Sequence, residues 1–349
     1  MVEQETLNLL VRGSSPRPFT TFSIPIASRF APTPSGPLHR GSVVAAVASY
    51  LFVRSSPSAS AGHWYLRFDD LDGPRNMPGA IDTIQNQLEM LGLEWDGAVT
   101  LQSQHVNEYR DALEELKAKG LVFACHCSRL DLDRHGAPRN RWGERIHWGV
   151  CDSRSGSGVD ASMRCWLGQP ALGGERISQF EDLCCGTQKC SVVEEWGSPV
   201  LCRADGTFSY QLANVVDDLR MGISHVIRGA DLIGVTHVHR ELSFALSESY
   251  GPKYGHVRLL KDGSGRKLSK SDGAAAVLGS GADVAAVLRE TLEFLGFIDL
   301  PAEIDQARDL LQFAIKICRE THAQSERSTG PCWFPWQYEE PDRPSAKRG

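Results

Sequence analysis

The chain has 349 residues, long for one compact domain, so a core domain with an insertion or a second small domain is expected. Its 41% hydrophobic and 23% charged residues exclude disorder and fibrous repeats, and the longest apolar run, Ser42 to Val53, is about half the roughly 20 residues of a membrane span. A net charge of −6 gives no general attraction for nucleic acid, and a start containing Glu3 and Glu5 has no secretory pattern, so a soluble cytoplasmic protein is expected.

Residues 1–21, with Gly13, Ser14, Ser15, Pro16 and Pro18, suit a loose leader. From Phe22 a short strand, a Pro/Gly turn over Pro32 to Pro37 and a helix-length stretch from His39 to Val53 form a strand-turn-helix unit. A second strand, His63 to Phe68, runs into the acidic residues Asp69, Asp70 and Asp72, and helical periodicity follows at 78–92 and 105–119. Residues 22–124 therefore read as the first half of an α/β core, a doubly wound Rossmann-type parallel sheet whose ligands sit at the carboxyl ends of the strands. Between 125 and 200 the periodicity is poor and Gly, Ser, Arg and Cys are dense, which predicts an insertion. Residues 201–296 supply the second half: Thr207 to Leu219, a strand at His225 to Arg228, a helix near 235–249, a strand near 255–260, a Gly/Lys loop at 261–273 and a helix near 282–296. Residues 297–349 read as a helical segment near 303–321 and a tail rich in Pro and Trp.

Three segments carry chemistry. Arg29-Phe-Ala-Pro-Thr-Pro-Ser-Gly-Pro-Leu-His39-Arg-Gly41-Ser42 lies where a strand yields to a helix, whose unsatisfied N–H groups and partial positive charge suit a polyphosphate. His39 can donate to a phosphate and Gly41 leaves room for a nucleotide ring, although alone the segment equally reads as a Pro/Gly turn with a capping histidine. In Gly265-Arg-Lys267-Leu-Ser-Lys270-Ser271, two lysines flank a serine and can neutralise charge building on a leaving pyrophosphate; alone, this is a solvated basic loop. In the insertion, Cys125-His-Cys127 is followed after nineteen residues by His147-Trp-Gly-Val-Cys151. Cys125, Cys127, His147 and Cys151 make a complete tetrahedral set for one structural Zn²⁺, with reduced, unliganded cysteines as the alternative and His126 as a bystander. Cys184, Cys185, Cys190 and Cys202 form no second set and read as structural.

In this order, the first two segments resemble the paired His-Ile-Gly-His and Lys-Met-Ser-Lys-Ser signatures of class I aminoacyl-tRNA synthetases. With Arg67-Phe-Asp-Asp-Leu-Asp72, Tyr210-Gln-Leu-Ala-Asn-Val-Val-Asp-Asp218 and Arg228-Gly-Ala-Asp-Leu232, the chain over about 22–295 is similar to the glutamyl-tRNA synthetase group, and most of all to its shortened, queuosine-modifying branch. The resemblance implies a ligase using ATP and Mg²⁺ to activate L-glutamate. It assigns His39, Gly41, Lys267 and Lys270 to catalysis and His39, Gly41, Ser42 and Lys270 to ATP. Glutamate falls to Arg29, Phe30, Ala31, Pro32, Thr33, Asp69, Tyr210, Asn214 and Arg228. Arg29 and Arg228 would take the side-chain carboxylate, Tyr210 would add a hydroxyl, and Asp69, one methylene shorter than the family's glutamate, would take the ammonium. An arginine fork matches a carboxylate and rejects glutamine, whose amide would turn its NH₂ toward a cation. The branch often carries a zinc site, with tyrosine where His147 stands here.

The stretch after Ser271 is shorter than an anticodon-binding domain on the usual scale of roughly 100–150 residues, so none is expected. By resemblance the acceptor is then queuosine in the anticodon stem-loop of tRNA(Asp), and the protein a monomer. A truncated glutamyl-tRNA synthetase, mildly supported by Asn214, and a non-catalytic RNA-binding relative are the competing readings. The acidic run Asp69 to Asp72 is read as balanced by Arg75, and His237 and His239, two apart on a helix, as pointing to different faces.

Overall fold

The computed structural model describes residues 26–56, 62–147, 161–166, 177–247, 251–260, 277–279 and 281–325. The leader, Cys151, the basic loop with Lys267 and Lys270, and the tail lie outside the described residues.

Strand β1 (Ala27–Phe30) pairs in parallel with β2 (His63–Phe68), with Arg29 opposite Tyr65, and β2 pairs in parallel with the two-residue β3 (Thr100–Leu101). A second parallel pair joins β9 (His225–Gly229) to β10 (Lys253–Val257), two residues earlier than the pattern near 255–260 suggested. The two pieces meet at β1, where the Ser224 N–H donates to the Ala27 carbonyl and the Ala27 N–H donates to Ser224 Oγ, both at 2.9 Å.

Helix α1 (Arg40–Arg54) follows β1 and is apolar on nearly every side, because it is covered on every side. Val43, Val47 and Leu51 pack in one core with Trp64 and Leu66 of β2, with Ile84 and Leu88 of α2 (Ala80–Met90), and with α8 (Val284–Phe294) and α9 (Ala307–Ser325). A second core unites α3 (Val106–Ala118), α6 (Tyr210–Arg220) and α7 (Ile233–Leu246).

The insertion is more regular than its composition suggested. Strands β4 (Val122–Cys125), β5 (Ser162–Cys165) and β8 (Val200–Cys202) form an antiparallel sheet, with a short helix α4 (Arg129–Arg134) after β4. An antiparallel hairpin pairs β6 (Ile177–Asp182) with β7 (Gly186–Ser191), which leads into α5 (Val192–Trp196). Burial alternates along β6 with the two-residue period of a half-covered strand, and its turn rests on the core sheet through Leu183, whose N–H donates to the Tyr254 carbonyl at 2.8 Å.

Candidate active site

Where β1, β2 and β9 end, a cavity of about 550 Å³ opens beside the start of α1. It brings together Arg29, Phe30, Ala31, Pro32, Thr33, His39, Gly41, Ser42, Asp69, Tyr210, Asn214 and Arg228, all of the glutamate and ATP positions expected from the sequence that the structure describes. Position relative to the sheet explains the grouping: residues at strand ends and in the adjoining turns converge on the crevice at the carboxyl edge.

His39 caps α1. Its Nδ1 accepts from the Ser42 N–H at 3.2 Å, which places the ring proton on Nε2, 3.0 Å from Ser42 Oγ. The first turn of α1 carries no acidic side chain, so the positive end of a fifteen-residue helix faces the cavity unneutralised. A Cβ at Gly41 would lie 3.1 Å from the His39 ring, so the glycine also seats the cap against its helix.

The floor is a buried charge network. Asp218 accepts from Arg29 through both carboxylate oxygens, at 2.8 and 3.0 Å, and from Arg67 Nη1 at 2.8 Å. Arg67, fully buried, also donates to Asp69 at 2.8 Å and lies 3.6 Å from Asp217. Asp217 in turn accepts from the Tyr109 hydroxyl and from Gln102 Nε2. Asn214 completes the network when its Oδ1 accepts from Arg67 at 2.8 Å and its Nδ2 donates to Asp218 at 3.3 Å. Burial alone would raise the Asp218 pKa, but Arg29 and Arg67 outweigh it and hold that carboxyl below the usual carboxylate range. Asp69 differs: burial dominates and raises its pKa although Arg67 pulls the other way. Arg220 lies 3.5 Å from Asp217, so three carboxylates meet three guanidinium groups, and Asp69, hydrogen-bonded to Arg67, lines the cavity.

Opposite stands Arg228, at the end of β9 and 6% exposed. Its guanidinium donates to Thr236 Oγ1 at 2.7 Å, Tyr210 Oη and His256 Nε2 at 3.2 Å each, and the Leu232 carbonyl at 3.4 Å. Nδ1 of His239 lies 3.4 Å away; burial and Arg228 itself keep that imidazole neutral. Among the described residues Arg228 has no ion pair with a carboxylate, so a buried cation faces the cavity without its counter-ion.

The acidic run does not close on Arg75 as a unit. Arg75 pairs with Asp72 at 3.3 Å, Asp70 accepts from Ser103 N–H and Oγ, and Asp69 turns inward to Arg67.

The family model of the class I tRNA synthetases (E and Q), catalytic domain, matches residues 25–303. The glutamyl-Q tRNA(Asp) synthetase of Thiobacillus denitrificans is 44% identical over 268 residues, 77% of this chain and 84% of that protein. That of Aromatoleum aromaticum is 42% identical over 278 residues, 80% of this chain and 84% of that protein. The chain belongs to the class I tRNA synthetases. Among solved structures, the glutamate-tRNA synthetase from Elizabethkingia anophelis superposes with a TM-score of 0.59 at 27% identity, covering 72% of this chain and 53% of that one. A glutamate tRNA ligase from Elizabethkingia meningosepticum, in complex with its amino acid, matches at 26% identity and a TM-score of 0.58 over 71% of this chain and 52% of that one. The chain thus spans about half the length of these solved synthetases.

This synthetase also gathers Cys125, Cys127 and His147, whose ligand atoms all lie within 4.8 Å of one another. Tetrahedral Zn–S bonds of about 2.3 Å put neighbouring sulfurs roughly 3.8 Å apart, so the two thiols and the imidazole fit zinc in donor chemistry and in spread. Burial raises the Cys125 pKa, but the hydrogen bond with His147 and neighbouring donors bring it down to about 6, toward the thiolate a metal requires. Gly197 holds the other side of His147: its φ is +58°, and a Cβ there would lie 2.3 Å from the His147 carbonyl oxygen. Cys151 lies outside the described residues, and His126 is exposed.

Sequence reasoning named the cavity wall but assigned no role to Arg67, Asp217, Asp218, Thr236 or His256. Asp217 and Asp218 carried a signal, since two carboxylates on the buried side of a helix need cationic partners.

Proposed function

We propose that this synthetase activates L-glutamate with ATP in the absence of tRNA and transfers it to queuosine at the wobble position of tRNA(Asp), in the cytoplasm. The observation that carries the glutamate reading is Arg228, a buried guanidinium held by neutral acceptors and left to find its anion in the cavity. The side-chain carboxylate of glutamate supplies that anion, with the Tyr210 hydroxyl beside Arg228 and Arg29 lining the same cavity. Asp69 takes the ammonium, and Phe30, Ala31, Pro32 and Thr33 line the same cavity. Bound in this way, the substrate's side-chain carboxylate gives Arg228 its anion, and glutamine would leave Arg228 uncompensated.

The α-carboxylate is then free to attack the α-phosphorus of ATP, forming glutamyl-adenylate as the bond to pyrophosphate breaks. His39, Gly41, Ser42 and the open start of α1 hold the phosphates. Lys267 and Lys270 stabilise the departing pyrophosphate, and Mg²⁺ enters with ATP. A hydroxyl of the queuosine cyclopentene-diol attacks the adenylate carbonyl, glutamate forms an ester and AMP leaves. Cys125, Cys127, His147 and Cys151 would hold one Zn²⁺, which ties the start of the insertion to His147 and takes no part in the reaction.

The names of the Thiobacillus and Aromatoleum relatives support queuosine as acceptor. Labelled glutamate offered with ATP to queuosine-containing and queuosine-free tRNA(Asp) tests it. Label on the first alone is expected; equal labelling of both would transfer the reading to charging of the tRNA 3′ end.

A further inference from the structure

Arg228 is held from behind by a side chain that belongs to neither sequence signature, and that side chain is held from the insertion. His256 lies on β10, fully buried, with Nε2 3.2 Å from Arg228 Nε and 3.0 Å from Thr236 Oγ1. On its other edge Nδ1 is 2.5 Å from Asp182 Oδ2, at the end of the inserted strand β6. Asp182 is itself fixed: its Oδ1 accepts from the backbone N–H groups of Cys184 and Cys185 at 2.9 Å and of His256 at 3.0 Å. Cys185 Sγ donates to the His256 carbonyl, so the hairpin turn and β10 are stitched together at this point.

The hydrogen-bond roles follow from the donors. Arg228 Nε can only donate, so His256 Nε2 must accept and the single ring proton sits on Nδ1, facing an acceptor-only carboxylate. We infer that Asp182 and His256 form a positioning dyad for Arg228, in which the inserted hairpin fixes the imidazole tautomer and thereby aims the guanidinium at an acidic side chain in the cavity. The neutral ring matters as a spacer. A carboxylate set directly against Arg228 would satisfy its charge and compete with the substrate; one removed by an imidazole steadies the ring and leaves the counter-ion position open. Burial, the leading influence, favours the neutral ring, although Asp182 favours a charged one.

This inference rests on the reading of Arg228 as the side-chain carboxylate partner, and its test separates the two. Nitrogen-15 NMR of the histidine side chains of the full chain should show His256 protonated on Nδ1. A ring protonated on Nε2 overturns the dyad whether or not the protein activates glutamate. In Asp182→Asn the amide oxygen keeps its three backbone N–H donors and the NH₂ faces His256, so the proton is expected to move to Nε2, donor against donor with Arg228. His256→Phe removes the acceptor, whereas His256→Gln can restore one. In ATP–pyrophosphate exchange, Asp182→Asn and His256→Phe should raise the KM for glutamate roughly 10- to 100-fold with the KM for ATP little changed, and His256→Gln should recover most of the loss. A folded His256→Phe protein with the unaltered glutamate KM overturns the inference, as does a loss confined to kcat. An unmutated protein that activates no acidic amino acid overturns the glutamate reading instead, and the tautomer still decides the dyad.

Discussion

Arg29 and Arg228 line the same cavity and are both nearly buried, at 3% and 6% exposed, yet the protein treats them oppositely. Arg29 is clamped through two of its nitrogens by Asp218, one of three carboxylates that surround it and Arg67. Arg228 is surrounded by hydroxyls, a carbonyl and imidazoles. The first arrangement is complete without a ligand and holds β1, β2 and α6 together. The second is complete only when an anion arrives. On the proposed reading, buried charge at Arg29 chiefly holds the fold and at Arg228 awaits a ligand, and what separates the two is the carboxylate count within hydrogen-bond reach.

The strongest way to break this contrast is at Asp218. Asp218→Ala should cost about 3–5 kcal/mol of unfolding free energy, read by chemical denaturation, because two buried guanidinium groups lose a shared anion. The sign of its pH dependence also follows. The folded pKa of Asp218 is depressed, so its contribution is present above the unfolded value near 4 and is lost as pH falls through the lower folded value; Asp218→Asn should remove that part of the acid slope.

Arg228→Leu should do the reverse. Replacing an unpaired buried cation by an apolar side chain should leave stability unchanged within about 1 kcal/mol, while glutamate binding loses about 2–5 kcal/mol in amino-acid titrations. A protein destabilised as severely as Asp218→Ala would show Arg228 to be structural. A smaller effect is expected at Asp69, where Asp69→Asn should weaken glutamate binding by about 1.5–3 kcal/mol. Because burial raises the Asp69 pKa, its anionic form is lost sooner as pH falls, so affinity should drop through that raised value and the Asn variant should lack the drop. The smallest effect belongs to the exposed pair of Arg40 and Glu290, 2.8 Å apart with each side chain more than half exposed. Glu290→Ala should change stability by about 0–1 kcal/mol, and less in high salt.

Local pattern made the core legible. The strand-turn-helix over Ala27 to Arg54 and the 3.6-residue periods of α2, α3 and α8 are written in adjacent residues. The cavity wall was legible through motifs because His39, Asp69, Tyr210 and Arg228 sit at strand ends or helix starts, where side chains converge. What was hidden depends on distance along the chain. Asp218 meets Arg29 across 189 residues, and Asp182 meets His256 across 74, with no local sign of either partner. The hairpin of the insertion was obscured by composition, since β6 buries Ser178 and Asp182 beside Phe180 while exposing Ile177, and β7 is almost entirely polar. Arg67 and Asp69 were closer to readable, since residues two apart in an extended segment share a face, and that spacing points Asp69 to Arg67 rather than to Arg75.

The central claim is that one cavity holds a cation reserved for a side-chain carboxylate. ATP–pyrophosphate exchange by the unmutated protein without tRNA, run in parallel with glutamate and glutamine at equal concentration, tests it most directly. Exchange with glutamate and none above background with glutamine is the predicted result; comparable exchange with both would contradict the account.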